Sequence, residues 1–241
     1  MHPAHVFPWE PDLLPNLLDN NWGALKDSVT QVSIANVAGE QVQRVLTQWC
    51  LDHWKTTPQF LATTQQYSDV KNGYENYQNL GVDRWLAVIA AHHFYPDTSN
   101  IVIDCGSAIT VDTVLAGGEH LPGPIIPGLK TMVDGLLSKT DLAKYVLDEN
   151  YDKAHQEGLQ PIVKDTKNAI LAGANFATTK ALEAIVSETE AQLPNASEIN
   201  IIVTGGAAQS VMSLSTLSTR KTYLHEPDLV LKGLACFIEK Q

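Results

Sequence analysis

The sequence is short of positive charge and of cysteine, and both shortages exclude classes of protein. Its 241 residues include 16 Lys and Arg against 27 Asp and Glu, which gives a formal net charge of −11. Without a basic cluster the chain cannot neutralise a phosphate backbone, so we expect no nucleic-acid partner. The three cysteines, Cys50, Cys105 and Cys236, are too far apart for a metal-binding spacing or a disulfide framework. This pattern is typical of a reducing compartment.

Apolar runs long enough to span a bilayer are also missing, as is a charged-then-apolar leader. We therefore expect a cytoplasmic protein without membrane contact. The length suits one large domain or two modest ones that share a core. Helical and strand patterns alternate along the chain, which predicts an α/β fold. We place the boundary between two α/β halves at residues 1–98 and 99–241, with the N-terminal half truncated.

Residues 101–115 hold the strongest local pattern. A buried strand ends at Asp104, the turn Cys105–Ala108 follows, and a second strand begins at Ile109. Glycine in such a turn lets backbone N–H groups approach an anion. Asp104 could hold a cation and Ser107 could donate a hydrogen bond to phosphate. The alternative is an ordinary hairpin whose acidic side chains face water.

Residues 81–91 predict a helix that begins with Asp83 in its first turn, where the helix macrodipole favours a carboxylate. In one interpretation, Asp83 is a rigidly held functional carboxylate and the Arg84 guanidinium beside it binds an anionic substrate. In the alternative, Asp83 only stabilises the start of the helix and Arg84 is a solvated surface charge. Thr166 begins the longest helical pattern, 165–193, where a polar residue is common. The strand 199–204 ends in Gly205-Gly206, a second candidate contact for an anion or nucleotide.

The remaining patterns set the organisation of the chain. Residues 120–129 are too rich in Gly and Pro for a central strand and predict a shaped loop or edge strand. A polar loop is expected at 66–80 and an excursion or lid at 148–163. The other predicted helices and strands are, in order, helix 9–27, strand 28–37, helix 39–54, strand 59–63, helix 129–137, strand 221–224 and helix 227–234.

Four motifs, in this order and spacing, resemble the type III pantothenate kinase family. They are Gly81-Val82-Asp83-Arg84-Trp85, then Asp104-Cys105-Gly106-Ser107-Ala108 with Thr110 and Asp112, then Gly118-x-His120-Leu121-x-Gly123-x-Ile125-x-Pro127-Gly128, then Thr204-Gly205-Gly206. The resemblance covers the chain from about residue 30 to its end. It implies the fold of the acetate kinase, sugar kinase, heat-shock ATPase and actin superfamily, with two ribonuclease-H-like halves around a cleft, the first half incomplete here. It also implies ATP-dependent phosphorylation of pantothenate, the first step of coenzyme A biosynthesis.

The resemblance further implies roles for individual residues. Asp83 would accept the proton of the pantothenate hydroxyl, and Asp104 would bind a monovalent cation, potassium or ammonium. The residues expected to contact pantothenate are Tyr74, Gly81, Val82, Asp83, Arg84 and Thr166. Those expected to contact ATP are Gly106, Ser107, Gly205 and Gly206. Mg²⁺ is a further expected ion, and a homodimer with the active site at its interface is the expected assembly.

Three positions depart from the family pattern. The family opens with a strand carrying Asp-x-Gly-Asn-Thr/Ser, and Met1–Trp9 has no such motif. Ser107 replaces a threonine and keeps the hydroxyl, while Pro122 replaces a glycine and removes a backbone donor. The first departure leaves an alternative open: a catalytically inactive pantothenate kinase homologue that acts as a binding or regulatory protein.

Overall fold

The computed structural model describes residues 13–25, 29–145, 159, 161–193, 199–220 and 222–239. Met1–Trp9 and most of the predicted lid at 148–163 lie outside these residues. The helices are α1 (Leu14–Trp22), α2 (Glu40–Trp54), α3 (Val82–Phe94), α4 (Leu129–Ser138), α5 (Thr166–Ala191), α6 (Ala208–Ser213) and α7 (Leu229–Glu239). The strands are β1 (Ser33–Ile34), β2 (Gln59–Phe60), β3 (Gln66–Tyr67), β4 (Val70–Lys71), β5 (Ser99–Cys105), β6 (Ala108–Val114), β7 (His120–Pro127), β8 (Ile199–Thr204) and β9 (Tyr223–His225). The predicted α/β class is confirmed.

A five-stranded sheet in the order β7-β6-β5-β8-β9 forms the centre of the molecule. β5, β6 and β7 are antiparallel neighbours, whereas β8 runs parallel to β5 and β9 parallel to β8. This is the strand order of a ribonuclease-H-like half, which the resemblance implied for the second half of the chain. The Gly/Pro-rich segment is the edge strand β7. Proline has no backbone N–H to donate, so it fits an edge strand, which has a neighbour on one side only, better than a central strand.

Side-chain alternation divides the sheet between two helical layers. Ile101, Ile103 and Val203 pack on the face that carries α4, α5 and α6. Val102 and Ile202 pack on the opposite face, against α3 and α7. Residues two positions along a strand share a face, so the side chains at positions 104 and 112 point to the α3 side of the sheet.

Helices α3 and α7 pack closely enough to fix the start of α3 against the sheet. A Cβ at Gly233 of α7 would lie 2.0 Å from the backbone oxygen of Leu86, so only glycine permits this approach. Trp85, Leu86 and Val88 are fully enclosed in the same core. Helix α3 precedes the predicted boundary at residue 98 and still packs on the sheet that follows it. The division into 1–98 and 99–241 stays a prediction.

The strands before α3 are shorter than the sequence predicts, whereas α2 spans the predicted helix almost completely. The strand predicted at 28–37 is reduced to β1, and the strand predicted at 59–63 to β2, which pairs with β1 in parallel. The polar segment 66–80 is not only loop, because it contains the β3–β4 hairpin and a 3₁₀ helix at Tyr77–Asn79. Further 3₁₀ helices lie at Gly23–Leu25, Asp141–Tyr145 and Thr216–Thr219.

Helix α5 is long and apolar enough to cross a membrane by length and composition, with a mean hydropathy of 1.2. By these two criteria, the expectation that the chain lacks an apolar run long enough to span a bilayer is wrong. The helix nevertheless packs on the sheet, where Leu171, Leu182 and Val186 are buried in the core shared with α4 and α6. Its apolar character is therefore explained by its place in the core of a folded domain.

Candidate active site

The Asp83 carboxylate lies at the N-terminus of α3, as its place in the sequence predicts. Its Oδ1 accepts the backbone N–H of Arg84 at 2.8 Å. Gly81 leaves the space that this carboxylate uses, since a Cβ there would lie 2.6 Å from Asp83 Oδ1. Within the described ranges no hydrogen bond engages Asp83 Oδ2, so one carboxylate oxygen is left to accept a substrate proton.

Asp104 is the penultimate residue of β5 and lies on the same side of the sheet, against the turn that follows β8. Gly205 in that turn has φ +91°, and a Cβ there would lie 2.4 Å from Asp104 Oδ1. Burial, together with the nearby carboxylates of Asp83 and Asp112, raises the pKa of Asp104 to about 6. Asp83 and Asp104 therefore lie near each other on one side of the sheet, in the region that we call the crevice, with Asp112 buried close by. A bound cation would relieve the negative charge of this region.

The turn between β5 and β6 is held in place by hydrogen bonds from the start of α4. Gly128 donates its N–H to the Ser107 carbonyl at 2.9 Å, and the Thr131 hydroxyl donates to the same oxygen at 2.6 Å. A Cβ at Gly128 would lie 2.2 Å from the Gly106 carbonyl oxygen. The Ser107 side chain is exposed above this support.

The two glycine turns lie side by side. Ala207 donates its N–H to the Cys105 carbonyl at 2.9 Å, which joins the turn after β8 to the turn after β5. No heavy atom lies within 4 Å of where a Cβ of Gly206 would be, so this turn is open on its outer side. Gly106, Ser107, Gly205 and Gly206 thus form one edge of the crevice, beside Asp104. Small residues of this kind leave room for the phosphates of a nucleotide.

Arg84 is buried, with only 6% of its surface exposed, so the alternative of a solvated charge is wrong. Its Nε and Nη2 donate to the two oxygens of Asp112, both at 2.7 Å. Nη1 donates to the Tyr74 hydroxyl at 2.9 Å and Nη2 to the Gly123 carbonyl at 3.2 Å. Burial would raise the pKa of Asp112, but hydrogen bonds from His120 and Arg84 outweigh burial and lower it.

The structure brings most of the predicted site residues together but separates one of them. Gly81, Val82, Asp83 and Arg84 form the start of α3, and Tyr74 contacts Arg84. Thr166 begins α5, which packs on the opposite face of the sheet, and Asp165 is the residue that caps that helix. No contact among the described residues joins Thr166 to the Asp83 crevice within this chain.

Asp112 and His120 are the residues that the sequence reasoning left without a role. Both residues belong to the motifs that resemble the family. The alternation of side chains in the β5–β6 hairpin also places Asp112 on the same face as Asp104, and this pattern could have been recognised in the sequence. Their contact with Arg84 depends on packing between α3 and β6, which the sequence does not specify.

Two further features bear on ligand binding. An apolar cavity of about 600 Å³ lies between α1, α2 and α7, lined among others by Leu18, Trp49 and Leu234. It contains none of the acids and lies away from the crevice, so its size does not make it the reaction site. Across the described ranges no three or more His, Cys, Asp or Glu side chains are grouped to hold a metal ion.

The family model of type III pantothenate kinase matches residues 8–188. The chain belongs to the type III pantothenate kinase family. It is 31% identical to the type III pantothenate kinase of Nitrosococcus oceani over 92% of this chain and 80% of that one. It is 32% identical to that of Hydrogenovibrio crunogenus over 87% of this chain and 79% of the relative.

A solved structure agrees with the fold. A Baf family protein from Campylobacter jejuni superposes with a TM-score of 0.53 and 20% identity, covering 90% of this chain and 86% of that one. The family match and the curated relatives confirm the resemblance of the four motifs as a family relationship. The family is one of ATP-using kinases, and the chain is therefore a kinase by family.

Proposed function

We propose that this chain transfers the γ-phosphoryl group of ATP to the primary hydroxyl of pantothenate, giving 4′-phosphopantothenate. This is the first step of coenzyme A biosynthesis. The observation that carries the proposal is the placement of two carboxylates on one side of the sheet, Asp83 in the first turn of α3 and Asp104 against the glycine turn that follows β8.

Phosphoryl transfer asks a protein mainly for positioning and for stabilisation of charge. Asp83 is suited to orient the attacking hydroxyl and accept its proton, because Oδ1 is held by the Arg84 backbone and Oδ2 is available. The residues that would contact pantothenate are Tyr74, Gly81, Val82, Asp83 and Arg84, with Thr166 as a contact from another copy of the chain in the proposed homodimer.

The glycine turns are suited to the nucleotide. Gly106, Ser107, Gly205 and Gly206 would contact ATP, and replacement of the usual threonine by Ser107 retains the hydroxyl. Asp104 would hold potassium or ammonium, a cation that supplies positive charge beside the phosphates. Mg²⁺ is proposed as the ion that accompanies ATP. We place the reaction in the cytoplasm.

Turnover is tested by ADP release from ATP with pantothenate and potassium. Asp83→Asn keeps the side-chain shape and removes the proton acceptor, so we expect kcat to fall by about 10²-fold or more while urea denaturation is unchanged. Asp97→Asn, on an exposed residue, is the matched control and retains activity. Full activity of Asp83→Asn would remove Asp83 from its role.

A second candidate function is that of a pantothenate-binding homologue without turnover. Calorimetric titration separates the two functions. Binding of pantothenate and ATP with ADP release supports the kinase, whereas pantothenate binding without nucleotide binding supports the binding or regulatory protein.

A further inference from the structure

Two buried side chains without a role above, Asp112 and His120, surround Arg84 on the α3 side of the sheet. Asp112 is 2% exposed and His120 is 1% exposed. Asp112 Oδ1 accepts from Arg84 Nη2 at 2.7 Å and contacts His120 Nε2 at 3.0 Å, while Oδ2 accepts from Arg84 Nε at 2.7 Å. Both carboxylate oxygens are therefore used inside the protein, and Asp112 cannot face a substrate.

This pairing determines what Arg84 can do. The two-point contact with Asp112 fixes the plane of the guanidinium and balances its charge. Four of the five guanidinium N–H groups donate to Asp112, Gly123 and Tyr74, and the described residues offer no partner to the fifth, on Nη1. The Tyr74 hydroxyl, also on Nη1, is the outer end of this network.

His120 connects the same network to the loop that carries Tyr74. Its Nδ1 lies 3.4 Å from the backbone nitrogen of Gly73, which can only donate. Nδ1 is thus the acceptor, and Nε2 carries the proton that is donated to Asp112. Gly73 also packs tightly on β7, since a Cβ there would lie 2.0 Å from the His120 carbonyl oxygen and 2.7 Å from Pro122 Cδ.

We propose that Asp112 and His120 are positioning residues of the pantothenate site. Asp112 acts through Arg84, and His120 acts through Gly73, so that both hold the Tyr74 hydroxyl and the Nη1 group beside the start of α3. The proposal rests on the proposed function. It also explains why a buried ion pair is present where two apolar side chains would fill the space at less cost in desolvation.

The first test separates substrate positioning from general stability. We expect Asp112→Asn to raise the KM for pantothenate about tenfold or more, because a change of this size corresponds to the loss of one hydrogen bond to a charged group. The KM for ATP should stay within about twofold, because the glycine turns do not contact this network. Asp134→Asn, in an exposed pair with Lys130, is the matched control and changes neither constant. Equal increases in both KM values would overturn the proposal.

A double-mutant cycle tests whether Asp112 acts through the network. If it does, Asp112→Asn combined with Tyr74→Phe raises the KM for pantothenate no more than the worse single substitution. Multiplying effects would mean that Asp112 acts independently of Tyr74, and would overturn the proposal.

Asp112→Asn leaves Arg84 buried without its counter-ion and could fail to fold, so the His120 variants provide an independent test. His120→Gln keeps a donor near the Nε2 position and loses the acceptor for Gly73. His120→Asn keeps an acceptor near the Nδ1 position and loses the donor to Asp112. Each should raise the KM for pantothenate several-fold, whereas the exposed His93→Gln control should not. A normal KM in both variants removes His120 from this role.

The His120 ring can also be observed without substrate, by ¹⁵N NMR of the labelled imidazole. A proton on Nε2 and none on Nδ1 supports the network, and a proton on Nδ1 overturns it. An unaltered chain that folds with the expected ring state but does not phosphorylate pantothenate would overturn the proposed function and leave the network standing.

Discussion

The substitution Asp104→Asn tests the charge balance of the crevice, because it removes one carboxylate and keeps the shape of the side chain. Burial, with help from the Asp83 and Asp112 carboxylates, raises the pKa of Asp104 from 3.8 to about 6. At 1.36 kcal/mol for each pKa unit, the ionised carboxylate destabilises the folded chain by about 3 kcal/mol. The pKa of Asp104 is higher in the folded chain, so the stabilisation by its proton is complete below the unfolded pKa and is lost as the pH rises through about 6.

Asparagine carries no charge at any pH, so the variant avoids this loss. We expect Asp104→Asn to raise the free energy of unfolding by about 3 kcal/mol near pH 8 and by only about 1 kcal/mol near pH 4.5. The carboxylates whose pKa is lowered, Asp69, Asp112, Glu183 and Glu226, respond to pH in the opposite direction. All are present in both chains, so the contributions of the carboxylates that do not act on Asp104 cancel in the difference. The contribution of Asp112 changes only through its interaction with Asp104.

Urea denaturation at the two pH values, without potassium, ammonium or nucleotide, measures the effect. Asp134→Asn, whose carboxylate is exposed beside Lys130, is the control and should change stability by less than about 1 kcal/mol at either pH. An Asp104→Asn chain that is no more stable than the unaltered chain near pH 8, or whose gain in stability is the same at both pH values, would contradict a destabilising charge on Asp104. Where turnover is measurable, the variant should also lose its response to potassium.

Two glycine substitutions test the close approaches that shape the site. Gly205→Ala, at φ +91° and against Asp104, should lower the free energy of unfolding by about 2 kcal/mol or more, whereas Gly206→Ala, with open space around it, should change it far less. Equal effects in urea denaturation would contradict the contact with Asp104. Gly233→Ala should lower the melting temperature because its Cβ meets the α3 backbone. Gly135→Ala, in the open part of α4, should raise the melting temperature, because the higher helix propensity of alanine adds up to about 1 kcal/mol to the free energy of unfolding. A rise in both variants would mean that α7 can move away from α3 without loss.

The extent of sequence prediction differs between the two parts of the chain. The β5–β6 hairpin, β8, α3 and α5 lie where their patterns place them, because apolar alternation and helical periodicity are local signals that the core reinforces. The strands before α3 are shorter than predicted, because strand pairing depends on neighbours that a local pattern does not report. The predicted lid and the first nine residues stay predictions.

The candidate site shows the same division at the level of single residues. Asp83, Asp104 and the glycine turns were identifiable from motif and spacing, since a helix start and the ends of parallel strands are positions that chemistry uses. That Arg84 is buried rather than solvated was not predictable, because its partner Asp112 is 28 positions away and is met only when α3 packs on β6.

Motif order and local periodicity are written along the chain, so the class of fold and the family could be predicted from the sequence, as could the positions of Asp83 and Asp104 at the start of α3 and near the end of β5. The tertiary structure decided which charges meet. It raised the pKa of Asp104 chiefly by burying that carboxyl group, with Asp83 and Asp112 nearby. It also matched Arg84 to Asp112 and placed Thr166 across the sheet from Asp83. Electrostatic interactions act through space between groups that are far apart in sequence, so packing alone fixes them.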